Sequence, residues 1–510
     1  MEKEIAINVS QYETRIALLE DKKLVELWVE RPEQERMVGD IHKGIVKSIF
    51  PGMQAAFVDI GIGKNVFLHV SDIAPQENDF YEIEIMEDEM VEFVKKRPYV
   101  KIQDVLKKDQ QILVQIVREP IDTKGARVTT KVSLPGRYIV LAPGEDYIAV
   151  SRKITDWSEK KRLKKIISEL KPRNMAVIIR TVGVGKDKRD FKADLKNLLR
   201  RWYQIKKQSD RKPAPVLLHK EMSATFGVIR DFFTPDVDRV WVDNKDEYKR
   251  ILKYVKSFAR PLVSKIMFYQ AEIPLFDALN IEAEIDKMLE RKVWIKKGSY
   301  VVIDQTEAMV TIDVNTGRFV GKSSQEDTVL RTNLESAKEI ARQIRLRDIG
   351  GLIVVDFIDM ESREHRRRLF EEFKNGFRND RAKNSILPIS DFGLIQMTRE
   401  KIRPSLVHAL SELCPTCEGS GRILSKETVA VKIERWFRRA RVGSEERRYK
   451  LILSPGLYEI FTRSDSERLR RLNKELRMEI SVEKDESLRP DQFKVYSPSE
   501  DAEVTQRFNP

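Results

Sequence analysis

The segment YVVIDQTEAMVTIDVN, residues 300–315, decides the fold class of this chain, because it contains two short apolar runs joined by a polar turn. A helical pattern follows over residues 325–348. Its apolar positions are Leu330, Leu334, Ala337, Ile340 and Ile344. The apolar run LIVVDF, residues 352–357, then predicts another strand. Strands that alternate with helices in this way are typical of an α/β layer architecture.

The residues before this segment predict smaller β-rich units. Residues 4–29 alternate like a hairpin, and residues 39–73 contain short β-branched runs broken by Pro-Gly and Gly-x-Gly turns. These runs predict a small closed barrel, with residues 101–120 returning the chain to close it. A basic amphipathic helix is predicted over about residues 157–170, and residues 425–510 form a charged terminal domain.

Length and composition limit the class of protein. A chain of 510 residues predicts three to five units at roughly 100–200 residues per domain. It contains no apolar run of about 18 residues, which excludes a transmembrane helix, and its N-terminus MEKEIAINVS lacks a signal-peptide core. Two cysteines cannot staple a secreted protein of this size. We therefore expect a soluble, cytoplasmic protein.

The positive charge of the chain is concentrated in one segment. Residues 151–213 hold 21 Lys and Arg against 7 Asp and Glu, an excess of 14 that accounts for the whole net charge of +13. Such a concentration favours contact with a polyanion such as nucleic acid. The alternative is a solvated helical face, because EKKRLKKIISELK alone supplies many of the lysines.

Two aspartates occupy matching positions at strand ends. Asp313 and Asp356 each follow an apolar run, and ligands of open α/β sheets gather beyond the carboxyl ends of the strands. Paired carboxylates near a phosphate favour Mg²⁺, and Asn315 would point to the same side of its strand as Asp313. An Asp after a strand is also common as a turn or helix cap, and Asp304 and Asp359 are competing candidates.

The two cysteines form the motif Cys414-Pro-Thr-Cys417 before the glycine-rich run EGSG. Structural zinc needs four ligands, so the motif is either a redox pair or one half of a zinc site shared by two chains. The glycine-rich turn favours the metal. Because each chain supplies two of the four ligands, a zinc site then predicts a homodimer.

Two further features suggest contacts with a nucleic acid. Arg180-Thr181 precedes the turn VGVG, and a guanidinium, a hydroxyl and open backbone amides would suit a terminal phosphate; a purely structural turn is the alternative. Phe57 and Phe67 lie on neighbouring strands of the predicted barrel and could stack unpaired bases, while core packing is the competing interpretation.

Taken together, these segments resemble the ribonuclease E/G endoribonucleases along almost the whole chain, and the G type more than the E type, since the chain stops soon after the small terminal domain. The matching segments are INVSQYETRIALLE, AAFVDIG, RTVGVG, EIPLF, TEAMVTIDVNTGRFVGK, TNLESAKEIARQIRLRDIGGLIVVDFIDM, FGLIQMTREKIRPSL and CPTCEGSG. The resemblance implies a Mg²⁺-dependent enzyme that cuts single-stranded RNA, leaves 5′-phosphate and 3′-hydroxyl ends, responds to a 5′-monophosphate, and acts in rRNA processing and mRNA decay.

The resemblance also implies a domain order for this α/β multidomain chain. In order, it gives an RNase H-like subdomain split over 1–38 and 226–290, an inserted S1 (OB) domain over 39–123, a 5′-sensor region over 124–225, a DNase I-like catalytic subdomain over 291–411, a zinc link over 412–424 and a small dimerisation domain over 425–510. Zinc-linked dimers could pair further into tetramers, which the sequence leaves open.

Residue roles follow from the same resemblance. It implies that Asp313 and Asp356 bind Mg²⁺ with Asn315 assisting, and that Cys414 and Cys417 bind zinc shared between chains. Further residues resemble contacts to RNA: Arg180, Thr181, Gly136, Val140 and Arg152 at the 5′-phosphate, and Phe57, Phe67, Lys124 and Lys383 along the RNA. Lys383 stands where relatives often have Arg, so it keeps the charge but loses bidentate geometry.

The competing hypothesis is a non-catalytic S1-type RNA-binding protein with a structural zinc. The paired aspartates separate the two hypotheses, because a protein that only binds RNA has no need for two carboxylates facing a polyanion.

Overall fold

The structure is a computed structural model of the chain. It describes residues 2–31, 37–73, 101–119, 125–151, 153–295, 298–316, 325–378, 380–401 and 403–508. The chain divides into two compact units, Met1–Ala409 and Leu410–Pro510. Among the described residues, no helix combines the length and the apolar character needed to cross a membrane.

The strands of the described residues are numbered in chain order. They are Lys3–Val9 (β1), Thr14–Glu20 (β2), Lys23–Glu30 (β3), Ile41–Phe50 (β4), Ala55–Asp59 (β5), Val66–His69 (β6), Gln111–Arg118 (β7), Arg127–Thr129 (β8), Leu134–Pro135 (β9), Ile139–Pro143 (β10), Ile148–Val150 (β11), Met175–Ile179 (β12), Val216–His219 (β13), Arg239–Val242 (β14), Ile266–Phe268 (β15), Lys292–Trp294 (β16), Tyr300–Gln305 (β17), Met309–Asn315 (β18), Gly351–Asp356 (β19), Asn384–Ile386 (β20), Leu394–Arg399 (β21), Arg448–Leu453 (β22), Glu479–Lys484 (β23), Phe493–Ser497 (β24) and Ala502–Glu503 (β25).

The α-helices follow the same order. They are Ile102–Val105 (α1), Trp157–Ser168 (α2), Lys188–Arg211 (α3), Ala224–Phe232 (α4), Lys245–Phe258 (α5), Leu275–Ala278 (α6), Ile281–Leu289 (α7), Gln325–Leu346 (α8), Arg363–Gly376 (α9), Leu406–Leu410 (α10), Lys426–Gly443 (α11) and Pro455–Leu476 (α12).

The first sheet joins two distant parts of the chain. Its strand order in the described residues is β15-β14-β1-β2-β3, and β14 lies parallel to β1 between residues that are more than 200 positions apart in sequence. The predicted hairpin pattern of residues 4–29 corresponds to the antiparallel strands β1, β2 and β3. Buried apolar residues of this sheet and of α4 and α5 form one core.

A closed barrel follows. Within the described part of the chain, β4, β5, β6, β8 and β7 pair in that order, and β7 returns to pair with β4. This confirms the predicted α/β architecture with a small closed barrel, and β7 is the closing segment predicted over 101–120. Strand β8, Arg127–Thr129, pairs with β7 in this barrel and lies after residue 123, where the resemblance places the end of the S1 domain. Strand β13 also pairs with β4 from outside the ring.

The third sheet has the order β11-β12-β10-β9 in the described residues, and a core shared with α2 and α3 lies on it. Helix α3 was absent from our sequence-based predictions. Asp187 and Asp190 form a capping box at its start, so the spacing Asp-x-x-Asp before a basic amphipathic run was the signal that could have revealed it.

The fourth sheet positions the paired aspartates. Its order is β16-β17-β18-β19-β21-β20 among the residues described, and β18 and β19 are its parallel neighbours, connected through α8. Alternate residues of β18 are buried, because one face of the sheet packs against apolar residues of α8 and α9. The other face of β18 is exposed, and Asp313 lies on it.

The unit Leu410–Pro510 has its own core. In its described residues the strands are ordered β23-β22-β24-β25 and bury apolar side chains against α11 and α12. Trp436 is fully buried there, and its indole N–H donates a hydrogen bond of 2.8 Å to the carbonyl of Thr505.

Candidate functional site

Asp313 and Asp356 lie directly opposite each other on the neighbouring parallel strands β18 and β19. Both are at the carboxyl ends of these strands, and both side chains are on the exposed face of the sheet. The amide of Asn315 donates a hydrogen bond of 2.7 Å to Oδ2 of Asp313. The structure therefore brings the three predicted residues together, with Asn315 fixing the orientation of one carboxylate.

The charges of this site favour a cation. Partial burial raises the pKa of Asp356, and the nearby negative charges of Asp313 and Asp359 raise it further. A pKa raised by crowded carboxylates means that the ionised pair is unfavourable without a counterion. Carboxylate oxygens are the ligands that Mg²⁺ prefers, and one or two from the protein suffice.

The two competing aspartates differ in their surroundings. Asp304 accepts hydrogen bonds from Arg291, one of them 2.6 Å long, and this contact lowers its pKa. The negative charge of its carboxylate is therefore already paired with the positive charge of Arg291. Asp359 lies close enough to raise the pKa of Asp356, and a Cβ added at Gly393 would lie 3.2 Å from its Oδ1. The described residues contain no cluster of three or more His, Cys, Asp and Glu side chains arranged to hold a metal, so this site consists of a carboxylate pair with Asp359 beside it.

Phe57 and Phe67 are directly opposite each other on the antiparallel strands β5 and β6. Their ring centroids are 5.9 Å apart in an edge-to-face arrangement, and the Phe50 ring lies 5.5 Å from that of Phe57. Both residues are partly exposed and lie outside the buried cluster that fills the barrel. The geometry favours a surface platform over the alternative of core packing.

Arg180 donates hydrogen bonds to two residues, of which the sequence analysis named Gly136 but not Asp231. Its Nη1 donates hydrogen bonds of 2.8 Å to Oδ1 of Asp231 and to the carbonyl of Gly136. Burial favours the neutral form of Asp231, but the charges of Arg180 and Arg230 outweigh it and lower its pKa. Asp231 is 51 positions from Arg180 in sequence, and no local motif marks it.

The neighbours of Arg180 are arranged around it in different ways. Thr181 is exposed, and its hydroxyl lies 3.1 Å from that of Ser151. A Cβ at Gly136 would lie 2.6 Å from Oδ2 of Asp194, which accepts hydrogen bonds from the N–H groups of Tyr138 and Ile139, so a larger residue would displace this carboxylate. Val140 is partly buried on β10, opposite Ile178.

Three backbone amides of the glycine-containing turn after Arg180 have partners within the protein. The N–H of Gly183 donates to the carbonyl of Arg180 and that of Val184 to the carbonyl of Thr181, while Gly185 donates 2.8 Å to Glu159 Oε1. The first two of these contacts are made within the 3₁₀ turn of residues 181–183, and the third is made to a side chain of α2.

The remaining predicted RNA contacts are less defined. Lys383 is exposed just before β20, and its carbonyl accepts a hydrogen bond of 2.8 Å from the N–H of Glu400. Arg152 and Lys124 lie outside the described residues.

The cysteine pair occupies a tight turn of the second unit. The N–H of Glu418 donates to the carbonyl of Cys414 at 2.8 Å, and Glu418, Gly419 and Gly421 have φ angles of 50°, 89° and 70°. Hydrogen bonds from the backbone N–H groups of Cys417 and Thr416 lower the pKa of the exposed Cys414 thiol. A thiolate is the form that binds metal, so the turn fits two zinc ligands.

The chain is similar in sequence to known ribonucleases. The sequence model of the ribonuclease E/G family matches residues 133–402. Ribonuclease G of Escherichia coli (strain K12) is 37% identical over 495 residues, which cover 97% of this chain and 99% of that protein. Ribonuclease G of Haemophilus influenzae is 35% identical over 463 residues, covering 91% and 92%. Ribonuclease E of Haemophilus influenzae is 34% identical over 507 residues, which cover 99% of this chain and 53% of that protein. The chain therefore belongs to the ribonuclease E/G family of endoribonucleases.

Proposed function

We propose that this chain is a Mg²⁺-dependent endoribonuclease that hydrolyses single-stranded RNA and leaves 5′-phosphate and 3′-hydroxyl ends. Its activity is stimulated by a 5′-monophosphate, and its substrates are rRNA precursors and mRNA in the cytoplasm. The observation that carries the proposal is the register of Asp313 with Asp356 on the exposed face of the fourth sheet. The membership in the ribonuclease E/G family supports it.

Asp313 and Asp356 would hold the metal ion, and the raised pKa of Asp356 supports this role because a cation would relieve the repulsion. When bound, Mg²⁺ can orient and acidify an attacking water and neutralise charge at the scissile phosphate. Asn315 holds Asp313 in one orientation through its 2.7 Å hydrogen bond. The two carboxylates on their own would repel RNA, so productive RNA binding requires that their charge is compensated.

The other predicted residues bind the substrate away from the scissile bond. Phe57 and Phe67 stack unpaired bases on the barrel, which selects single strands because paired bases are not available for stacking. Lys124 and Lys383 contact the RNA backbone. Arg180 and Thr181 bind the terminal 5′-phosphate, with Gly136, Val140 and Arg152 around them.

The domain assignments belong to the same proposal. The first sheet is the RNase H-like subdomain, the barrel is the S1 domain, the third sheet is the 5′ sensor, and the fourth sheet is the DNase I-like catalytic subdomain. Cys414 and Cys417 supply half of a zinc site, and a second chain supplies the other half. This zinc link forms a homodimer, which could assemble further into a tetramer.

The test is to incubate the purified chain with a 5′-monophosphorylated single-stranded RNA, with Mg²⁺ and with Mg²⁺ removed by a chelator. Cleavage at internal positions that needs Mg²⁺, with products carrying 5′-phosphate and 3′-hydroxyl ends, is the expected result. Binding without cleavage at any Mg²⁺ concentration would instead favour the non-catalytic S1-type RNA-binding protein.

A further inference from the structure

We propose that Trp294 and Tyr300, together with Lys292, form a base-stacking subsite for single-stranded RNA beside the paired aspartates. This inference rests on the proposed function, because it places RNA on the exposed face of the fourth sheet. It adds a contact that neither the sequence motifs nor the family comparison assigned. We call these three residues the stacking patch.

The register of the sheet places the stacking patch next to the carboxylates. Trp294 on β16 is directly opposite Tyr300 on β17, and Tyr300 is directly opposite Asn315 on β18. Residues directly opposite each other in a sheet project from the same face. The intervening residues Val293 and Val301 are buried in the core under α8 and α9. Trp294, Tyr300 and Asn315 therefore share the exposed face with Asp313.

The distance between the stacking patch and the paired aspartates suits neighbouring nucleotides of one RNA strand. Adjacent strands are about 4.8 Å apart, so the backbone of Trp294 lies roughly 10 Å from that of Asn315, across two strand spacings. Asp313 is two residues from Asn315 on the same strand, which adds about 7 Å along the strand direction. A nucleotide adjoining the scissile phosphate can reach this distance with its base.

The rings and the ammonium group have the composition of a nucleotide site. The ring centroids of Trp294 and Tyr300 are 5.3 Å apart at an interplanar angle of 61°. Nζ of Lys292 lies 4.1 Å from the Trp294 centroid and 3.6 Å from that of Tyr300. An aromatic face stacks a base, and a nearby ammonium contacts its phosphate. The patch therefore offers both contacts at one place.

The exposure of Trp294 is the feature that needs an explanation. Trp294 retains 61% of its surface exposed, although a tryptophan is usually largely buried. Lys292 covers part of the two rings but leaves this surface open. Because β16 is at one edge of the fourth sheet in the described residues, the exposed ring is accessible from the side on which the carboxylates lie. We assign RNA as the occupant, and not a second copy of the chain, because the patch is continuous with the proposed active site.

The experiment measures RNA binding separately from cleavage. An Asp313→Asn background prevents hydrolysis, and a 5′-hydroxyl oligonucleotide avoids any contribution of the 5′ sensor. The Kd is compared for this background alone and for the same background with Trp294→Leu, Trp294→Phe or Tyr12→Ala. Leucine keeps apolar volume but has no ring face, while phenylalanine keeps a ring. Tyr12 is 77% exposed in the hairpin turn between β1 and β2 and serves as the matched control.

We expect Trp294→Leu to raise the Kd about tenfold, the size typical of one base–aromatic stack, and Trp294→Phe to restore most of the affinity. Tyr12→Ala should leave the Kd within about twofold. A set of oligonucleotides with single abasic positions then identifies the stacked base. Removing that base should weaken binding to the background protein but add little to the effect of Trp294→Leu, as expected for two groups in contact.

An unchanged Kd for Trp294→Leu, or abasic effects that are the same with and without Trp294, would overturn the stacking patch. So would a change of oligomeric state caused by Trp294→Leu, since this would identify the surface as a contact between chains. If Trp294→Leu folds poorly, Tyr300→Leu removes the other ring of the stacking patch, and an unchanged Kd with unchanged abasic effects for that variant would equally overturn the proposal. Failure of the parent chain to cleave RNA would contradict the proposed function alone, because the binding measurements do not depend on cleavage.

Discussion

At the residue scale, the fourth sheet places two carboxylates side by side in a protein whose net charge is +13. Asp313 and Asp356 are adjacent in the sheet, and the pKa of Asp356 is raised by burial and by the charges of Asp313 and Asp359. A polyanionic substrate would meet repulsion here unless a cation is present. Replacing either carboxylate by an amide tests whether this charge serves metal binding.

We expect Asp313→Asn or Asp356→Asn to reduce cleavage by at least about a thousandfold, because the metal contributes several kcal/mol of transition-state stabilisation. RNA affinity should be unchanged or slightly increased, since a negative charge is removed. Single-turnover cleavage and a binding assay on the same oligonucleotide measure both effects. Asp304→Asn is the control, because its carboxylate is paired with Arg291. A variant of Asp313 or Asp356 that cuts at close to the parent rate would show that the pair does not hold the metal.

Arg180 provides the second prediction at this scale. Arg180→Ala should slow cleavage of 5′-monophosphorylated RNA about ten- to a hundredfold, as expected from losing a charge-assisted contact of roughly 1.5–3 kcal/mol. Cleavage of the same RNA with a 5′-hydroxyl end should change little. The fold should tolerate the change, because Asp231 keeps its contact with Arg230, whose Nε lies 2.9 Å from Oδ1 of Asp231. An equal loss on both substrates would mean that Arg180 supports general RNA affinity or the fold.

At the element scale, a buried ion cluster connects the turn after α8 to β21. Arg399 donates hydrogen bonds of 2.9 Å to Asp348 and of 2.7 Å and 2.9 Å to Asp380, and Arg403 also donates to Asp348. Burial favours the neutral form of Asp348, but Arg403 and Arg399 outweigh it and lower its pKa. The cluster thus holds the turn that leads into β19 and Asp356.

Asp348→Asn should destabilise the unit Met1–Ala409 by about 3–5 kcal/mol, because it removes the carboxylate that Arg403 contacts and leaves Arg399 with Asp380 as its remaining hydrogen-bonded carboxylate. Asparagine tolerates the positive φ of 51° at this position, so the change tests the charge and not the backbone. Denaturant unfolding measures the effect, with Asp304→Asn as an exposed control. A free energy of unfolding equal to that of the parent would mean that the cluster contributes no net stability.

The same cluster predicts a pH dependence. Because the pKa of Asp348 is lower in the folded chain than in the unfolded chain, its stabilisation is present above the ordinary Asp pKa of about 4 and is lost as pH falls through the lowered value. The parent should therefore lose stability more steeply than Asp348→Asn below about pH 4. If the free energy of unfolding depended on pH in the same way in the two proteins across this range, the lowered pKa of Asp348 would be contradicted.

The elements also show what the sequence could and could not predict. Strand ends and apolar spacing predicted Asp313, Asp356 and α8, because local periodicity reports which residues face the core. The pairing of β18 with β19 depends on a helix crossing between them and became visible only in the structure. Asp231 was missed because its contact with Arg180 is made between elements that are distant in sequence, and no local pattern marks it.

At the scale of the whole molecule, the two units differ in their number of sheets and in their candidate metal ligands. The unit Met1–Ala409 contains four of the sheets found in the described residues, while Leu410–Pro510 has one sheet, its own core and the cysteine turn. A CxxC turn supplies two ligands, and the sequence contains two cysteines in total. A tetrahedral thiolate site therefore needs the turn of a second chain.

We expect zinc at about one ion per two chains, coordinated by four thiolates, and a dimer in solution. Cys414→Ser should lose the zinc and shift the protein towards monomer at micromolar concentration, because a site with two thiolates instead of four binds zinc weakly. Metal analysis of the purified chain and light scattering, each with and without a chelator, measure the two quantities. Ser420→Ala, which changes the same turn without removing a ligand, is the control.

One zinc per chain in a stable monomer would contradict a shared site, and an intrachain disulfide that forms reversibly in a metal-free protein would establish the redox alternative. Loss of zinc without loss of the dimer would show that the dimer is held by other surfaces and that the metal only orders the turn.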